Sequence, residues 1–244
     1  MTPPVFLVPA LPAGEEFVLD GPEGRHAATV RRLRAGEELV LSDGSGAQVR
    51  CVVGEALKDS LRLRVVERWT VPEPAVRVIV AQALVKGDRG ELAVELATEA
   101  GVDEVVPWQA ARCVAKWDDG PRGAKALARW RATAREAAKQ ARRARVPHVA
   151  EPVGTAALAR MAASAAVTLV LHESAADGVK SVSLPAAGDV LLVVGPEGGI
   201  TDDELVTLTG AGAQVVRLGP TVLRASTAAA VGLAALGVLT DRWR

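Results

Sequence analysis

Two short segments near the C-terminal end of the chain combine residue types that suit ligand binding. Residues 192–199 (LVVGPEGG) and 218–224 (LGPTVLR) each place an apolar run before a Gly-Pro turn, and a helix signal follows each turn. Ligands of open α/β sheets bind at the carboxyl ends of the strands, so both turns are expected at that edge. Gly195, Gly198 and Gly199 allow the backbone to approach a ligand and expose its N–H and C=O groups. Such a site suits a flat base or an adenosine, which needs paired donors and acceptors.

The same segments exclude two common nucleotide sites. The chain contains no Gly-x-x-x-x-Gly-Lys phosphate loop and no Gly-x-Gly-x-x-Gly after a strand. Glu197 would repel a phosphate, so the ligand is expected to be uncharged or cationic at this point. S-adenosylmethionine fits, because it has a sulfonium and no phosphate. The alternative for this motif taken alone is a structural turn.

The elements expected to position these loops alternate between strand and helix from residue 76 onward. Such alternation predicts a parallel sheet that is covered by helices on both faces. Thr201-Asp202-Asp203-Glu204 is a capping box that begins a helix. The predicted strands are residues 76–84, 102–106 (ending at Pro107), 167–171, 190–194 and 214–218. The other predicted helices are residues 89–100, 124–145 and the last one, from Ser226.

The first 70 residues have a different pattern, with short strands and turns. Strands are predicted at residues 16–19, 38–41, 47–53 and 61–66, with a hairpin turn at 43–46 and a single helix at 24–33. The sequence therefore predicts a small β-barrel-like domain at 1–70 and an α/β domain at 71–244, joined by a proline-containing linker near residues 70–75.

Composition narrows the class of protein further. The 244 residues are 49% hydrophobic but only 3% aromatic, so the cores are expected to consist of Val, Leu and Ala. The two cysteines are far apart and the three histidines are scattered, which argues against disulfides and against a metal site and favours the cytoplasm. No signal peptide is evident, and the uncharged run 225–240 is shorter than the ~20 residues that span a bilayer.

The charge is zero overall but is unevenly distributed. Residues 122–145 contain nine Lys or Arg and a single acid, Glu136. A concentrated basic helix on a neutral protein indicates contact with RNA, the alternative being a solvated helix face. The basic residues are Arg122, Lys125, Arg129, Arg131, Arg135, Lys139, Arg142, Arg143 and Arg145.

The order of the motifs resembles that of a known family. Leu171-His172-Glu173, the Gly195-Pro196-Glu197 loop and Leu218-Gly219-Pro220 form three successive strand-end loops, as in the SPOUT superfamily of methyltransferases. Arg25-His26 and residues 31–36, together with Lys86-Gly87-Asp88-Arg89, residues 97–104 and 130–140, extend the resemblance over nearly the whole chain, to the bacterial 16S rRNA uridine N3-methyltransferase family. The resemblance implies a PUA-like β-barrel, an α/β domain with a C-terminal trefoil knot, and a homodimer. It also implies that S-adenosylmethionine methylates N3 of one uridine of 16S rRNA near the decoding centre of the small subunit.

The resemblance also implies the roles of individual residues. Arg224 is the candidate catalytic residue, which stabilises the anionic uracil; the alternative is a contact with phosphate or with a carbonyl. His172 either acts as a base or shapes the cofactor loop, and the general base is left open. The implied cofactor-binding residues are Leu171, His172, Glu173, Val194, Gly195, Pro196, Glu197, Gly198, Leu218, Gly219, Leu223, Arg224 and Thr227. The implied RNA-binding residues are Arg25, Arg31, Arg32, Arg34, Lys86, Arg112, Arg142 and Arg143.

The chain departs from the family pattern at two places. Many members have Leu-Arg-Thr-Glu-Thr-Ala where this chain has Leu-Arg-Ala-Ser-Thr-Ala, so that Ser226 replaces a glutamate. In the central helix, Lys139-Gln140-Ala141-Arg142 stands where the family usually has Glu-Gln before a small residue and an arginine. The sequence therefore leaves two alternative functions: methylation of another RNA position such as a ribose 2′-hydroxyl, and a non-catalytic RNA-binding assembly factor. Ser226 favours the second of these.

Overall fold

The computed structural model describes residues 2–243, which form two compact units. The first unit contains the described residues up to Glu73 together with Ala138–Val146, and the second contains Pro74–Ala137 and the described residues from Pro147 onward. Each unit has its own hydrophobic core.

The first unit contains a five-stranded sheet in the order β1-β3-β4-β5-β2. Its pairs are antiparallel except for β1 with β3, and residues 43–46 form the predicted hairpin turn between β3 and β4. Phe6, Leu41 and Leu61 are among the fully buried residues of its core. The strands are β1 (Val5–Leu7), β2 (Glu16–Leu19), β3 (Glu38–Ser42), β4 (Ala47–Ala56) and β5 (Leu61–Thr70). Strand β1 was not predicted from the sequence.

The helix predicted at residues 24–33 was wrong at both ends. Helix α1 (Gly21–Arg25) begins earlier, because Pro22 occupies the first turn, where a missing N–H costs no hydrogen bond. A π-helical turn, His26–Val30, follows it directly. Arg32 then adopts a left-handed conformation with φ 54°, and the Leu33 N–H bonds to the Ala27 carbonyl, which ends the helix.

The second unit is the predicted α/β domain. Its sheet has the order β12-β10-β11-β6-β7-β8, with β9 also paired to β7, and every pairing among these strands is parallel. Helix α2 packs against α6, and α4 packs against α5. The strands are β6 (Val76–Ala83), β7 (Glu104–Gln109), β8 (His148–Val149), β9 (Val153–Gly154), β10 (Val167–Leu171), β11 (Gly188–Val194) and β12 (Gln214–Val216). The helices are α2 (Arg89–Glu99), α3 (Pro121–Gln140), α4 (Thr155–Ser164), α5 (Asp202–Gly210) and α6 (Ala225–Leu239).

Several predicted boundaries in this unit were wrong, among them those at Pro107 and at the end of the basic helix. Pro107 lies inside β7 instead of ending it. On one side, β8 pairs with Glu104 and Val105 and β9 pairs with Trp108 and Gln109, so Pro107 falls in the gap between them, where no N–H is needed. Helix α3 ends at Gln140, five residues before the predicted end, and Arg142 adopts a left-handed conformation with φ 55°.

Both cysteines are buried and free, and burial raises the pKa of the Cys51 thiol to about 11.

Within residues 2–243, no helix combines the length and the apolar character that a membrane span requires.

Candidate cofactor site

The three predicted loops line one cavity of about 680 Å³ in the second unit. The register of the sheet explains why they meet: Leu171, at the end of β10, is level with Val194 of β11 and with Val216 of β12. Because parallel strands that end level present their following loops at the same edge, the three segments converge there.

All but one of the predicted cofactor-binding residues line this cavity. They are Leu171, His172, Glu173, Val194, Gly195, Pro196, Glu197, Gly198, Leu218, Gly219, Leu223 and Arg224. Thr227 is not among the lining residues, and its hydroxyl donates to the Arg224 carbonyl at 3.1 Å. Five polar lining residues were not predicted as site residues, although all of them lie in or next to the motifs described above: Arg89, Asp202, Arg217, Thr221 and Ser226.

The glycines of the loop after β11 are required mainly by packing inside the protein. A Cβ at Gly195 would come within 2.7 Å of Ile200 Cγ1, and one at Gly198 would lie 3.0 Å from Arg112 Cβ and 3.2 Å from the Arg112 carbonyl oxygen. Gly199 has φ +75°, and its N–H bonds to the Pro196 carbonyl at 2.9 Å. At Gly195 and Gly198, protein atoms therefore occupy the space that the sequence analysis assigned to a ligand.

Glu204 connects this loop to its surroundings. The predicted capping box is present, since Glu204 Oε2 accepts the Thr201 N–H and hydroxyl, both at 3.0 Å. Its other oxygen, Oε1, accepts the Ala111 N–H at 2.9 Å and the Thr155 hydroxyl at 3.0 Å. Arg112, which follows Ala111 in the chain, donates from Nη1 to the Gly198 carbonyl at 3.2 Å. Glu204 thus supports the segment that packs on the glycine loop.

Glu204 is only 5% exposed. Burial by itself raises the pKa of a carboxyl, but here the hydrogen bonds from Ala111, Thr201 and Thr155 outweigh it and hold the pKa of Glu204 below its ordinary value of 4.5. The carboxylate is therefore ionised at neutral pH and accepts all of its bonds.

The cavity wall carries charges of both signs. Its lining residues include the basic Arg89, Arg112, Arg217 and Arg224 and the acidic Glu173, Glu197 and Asp202. Arg224 is exposed, is the N-cap residue of α6, and makes no ion pair within residues 2–243. A wall of this kind suits a zwitterionic ligand better than a polyphosphate.

The ring of His172 has a defined hydrogen-bond partner. The Ser174 N–H donates to His172 Nδ1 at 3.2 Å, which places the proton of the neutral ring on Nε2. Since the Nδ1 lone pair is engaged, the free ring nitrogen is a donor. The contact favours the loop-shaping role of His172 over a role as a base.

Ser226 is the buried polar group of the wall. The residue is 2% exposed, and its hydroxyl has no hydrogen-bond partner within residues 2–243. An orphaned hydroxyl beside a cavity fits a ligand that carries polar groups of its own, as an adenosine or an amino acid does.

The predicted RNA-binding residues are distributed over both units. Arg25, Arg31, Arg32 and Arg34 are exposed in the first unit and Lys86 is exposed in the second, whereas Arg112 lines the cavity. Arg142 is exposed, while Arg143 is partly buried and has a partner within the protein.

Several Lys and Arg side chains of the basic helix form ion pairs with carboxylates of the protein itself. Arg129 Nε pairs with Glu91 at 2.8 Å, and Lys139 Nζ pairs with Glu23 at 2.7 Å. Arg131 Nη2 lies 2.8 Å from Glu151. The helix therefore offers fewer unpaired charges to RNA than its sequence indicates.

Family models match both parts of the chain. A model described as an RNA methyltransferase domain matches residues 72–237, and one described as an RNA methyltransferase PUA domain matches residues 19–66.

Individual proteins resemble the chain over nearly its whole length. It is 57% identical to a Mycobacterium bovis protein named ribosomal RNA small subunit methyltransferase E, covering 98% of this chain and 93% of that protein. A Bacillus subtilis protein of the same name is 33% identical, covering 93% and 92% of the two chains. A crystal structure of the Neisseria gonorrhoeae protein of that name, bound to S-adenosyl methionine, superposes with a TM-score of 0.85 at 27% identity, covering 98% of each chain.

Proposed function

The chain belongs to the RNA methyltransferase family, and on that premise we propose that it transfers a methyl group from S-adenosylmethionine to N3 of one uridine in 16S rRNA. The observation that carries the proposal is the single cavity formed by the loops after β10, β11 and β12. Relatives named for methylation of small-subunit rRNA, and a similar structure bound to S-adenosyl methionine, support the substrate and the cofactor.

The residues of the cavity fit this cofactor. When bound, S-adenosylmethionine supplies an electrophilic methyl group. Residues 194–199 and 218–223 present backbone groups to a flat adenine, while the arginines and acids of the wall match the charged ends of a zwitterion. The unpartnered Ser226 hydroxyl offers one further polar contact.

Arg224 is assigned the electrophilic role in catalysis. Uridine N3 carries a proton that must leave as N3 attacks, so negative charge develops on O2 and O4 of the base. A guanidinium held at the cavity wall stabilises that charge by donating to one of these oxygens. Because the His172 Nδ1 lone pair is engaged with Ser174, we assign no side chain as the base, and solvent hydroxide takes the proton.

The RNA is held by basic residues of both units. N3 lies on the Watson–Crick edge, so the uridine must be unpaired before it can react. Arg25, Arg31, Arg32 and Arg34 contact phosphates and position the RNA without reading its sequence. Lys86 and Arg112 reach the RNA near the active site, and Arg142 and Arg143 make further contacts with it.

The same premise assigns the larger organisation of the molecule. Residues 1–70, together with Ala138–Val146 of the same compact unit, form a PUA-like RNA-binding domain, and the rest of residues 71–244 forms a methyltransferase domain whose C-terminus is threaded into a trefoil knot. The enzyme acts as a homodimer in the cytoplasm on the small ribosomal subunit, at a uridine near the decoding centre.

The test is transfer of a labelled methyl group. Purified protein is incubated with labelled S-adenosylmethionine and small subunits from cells that lack the endogenous enzyme, and the methylated nucleoside is located by mass spectrometry. N3-methyluridine at a single site is the expected result. A ribose 2′-O-methyl group would support the other methyltransferase function, and cofactor binding without transfer would support the assembly factor.

A further inference from the structure

Within residues 2–243, the hydroxyl of Ser226 is buried without a hydrogen-bond partner. Removing a hydroxyl from water without a compensating hydrogen bond costs free energy, so native proteins contain few such groups. Ser226 is 2% exposed, and no donor or acceptor within residues 2–243 reaches its Oγ. The group therefore requires an explanation.

The position of Ser226 in its helix explains why the fold leaves it unpaired. Helical hydroxyls in this chain usually donate to the carbonyl four residues earlier, as Thr207 does to Asp203 and Ser164 does to Arg160. Ser226 is the second residue of α6, so the residue four positions earlier, Val222, lies outside the helix. Thr227 donates instead to the Arg224 carbonyl.

The location of Ser226 indicates where a partner can come from. Ser226 lines the same cavity as Arg224, Ala225 and Ala228. Among the buried side-chain atoms without a partner in residues 2–243, only the Ser226 hydroxyl belongs to a residue of this cavity. The missing partner is therefore expected on the molecule that fills the cavity.

We propose that Ser226 is a cofactor-binding residue whose hydroxyl forms a hydrogen bond with a polar group of bound S-adenosylmethionine. The inference rests on the proposed function, which names that cofactor. It goes further, because it assigns a ligand contact to the position where this chain departs from the glutamate of the family pattern. Ser226 keeps a hydrogen-bonding group there without adding a charge.

The energetics give this contact a recognisable signature. The hydroxyl loses its water when the protein folds, so the cost of dehydrating it is already present in the ligand-free protein. Binding supplies the bond without that cost, and the loss of the hydroxyl is expected to weaken binding by about tenfold, the upper end of the usual effect of one hydrogen bond. Removing an unpaired buried hydroxyl should leave the ligand-free protein as stable as before, or more stable.

The experiment measures both quantities on Ser226→Ala. Titration calorimetry gives the Kd of S-adenosylmethionine, and thermal unfolding without ligand gives the Tm. We expect the Kd to rise about tenfold while the ligand-free Tm is unchanged or higher. Ser164→Ala is the matched control: it makes the same chemical change where the hydroxyl already has a partner within α4, and its Kd should equal that of the wild type.

Three results would contradict this inference. An unchanged Kd in Ser226→Ala shows that the hydroxyl does not contact the cofactor, and a lower ligand-free Tm shows that it has a partner within the protein. If the wild-type protein itself fails to bind S-adenosylmethionine, the proposed function fails and the inference fails with it. Wild-type binding with a normal Ser226→Ala variant overturns the inference alone.

Discussion

Arg224 occupies the point where the last loop of the cavity meets helix α6, and its guanidinium is not held by an ion pair within residues 2–243. A cation that stabilises charge only in the transition state affects turnover more than binding. Loss of one such donor typically lowers kcat by about 10²–10³-fold. We therefore expect Arg224→Ala to lose about 10²-fold or more in kcat, with little change in the Kd of S-adenosylmethionine.

Single-turnover methylation and calorimetry on the same preparations check this prediction. Arg160→Ala, on α4 and outside the cavity, serves as the control and should behave as the wild type does. Equal losses of binding and turnover in Arg224→Ala would favour a role in holding the cofactor or a phosphate.

Gly198 is confined by the backbone of Arg112, so a side chain there must displace the loop. Gly198→Ala is expected to weaken S-adenosylmethionine binding, because its Cβ would lie only 3.2 Å from the Arg112 carbonyl oxygen and would crowd the loop. Gly210→Ala is the matched control, since a Cβ at Gly210 meets nothing within 4 Å. Calorimetry on both variants tests the prediction, and equal affinities would show that the loop adapts to the extra methyl group.

Helix α5 is connected to the segments around the cavity through one carboxylate, that of Glu204. Glu204 caps α5, accepts the Ala111 N–H and so fixes the segment that carries Arg112 onto Gly198. In Glu204→Gln the amide NH₂ would replace one carboxylate oxygen and face a donor. Denaturant unfolding is expected to show that the free energy of unfolding of Glu204→Gln is about 2 kcal/mol lower than that of the wild type. Glu95→Gln, on the exposed side of α2, should change the free energy of unfolding little.

The free energy of unfolding that Glu204→Gln loses should depend on pH in a defined direction. Since the pKa of Glu204 is lowered in the folded protein, its contribution to stability is fully present above the unfolded pKa, near 4.5, and is lost as the pH falls through the folded pKa. The difference between wild type and Glu204→Gln should therefore be constant near neutral pH and shrink in acid. A difference that grows in acid would contradict this assignment.

At the scale of the whole molecule, α6 bears on the proposed dimer. This helix contains no charged residue, yet Val231 is 41% exposed, Val238 is 75% exposed and Leu239 is 43% exposed, while the opposite face is in the core. In a homodimer these side chains would lie in the interface. Val238→Lys should then raise the dimer dissociation constant, because each interface would bury an unpaired ammonium.

Sedimentation velocity at micromolar concentration measures the association. Val206→Lys on α5 is the matched control, since Val206 is 71% exposed and lies outside the proposed interface. A wild-type monomer at these concentrations would reject the dimer, and dissociation by both variants would reject this location of the interface.

The features that could be predicted from the sequence alone are those that depend on a few neighbouring residues. Gly-Pro turns after apolar runs, the capping box at Thr201 and the alternation of strands and helices depend on local backbone chemistry, and they led to the correct loops and the correct parallel sheet. Packing between distant segments decided the rest. Pro107 fits within a strand because β8 and β9 leave a gap beside it, and Lys139 pairs with Glu23 because the fold brings the two side chains together. Among the described residues, 2–243, the Ser226 hydroxyl has no partner for the same kind of reason: burial and hydrogen bonding are properties of the surroundings that a folded chain assembles, and those surroundings come from residues far apart in the sequence.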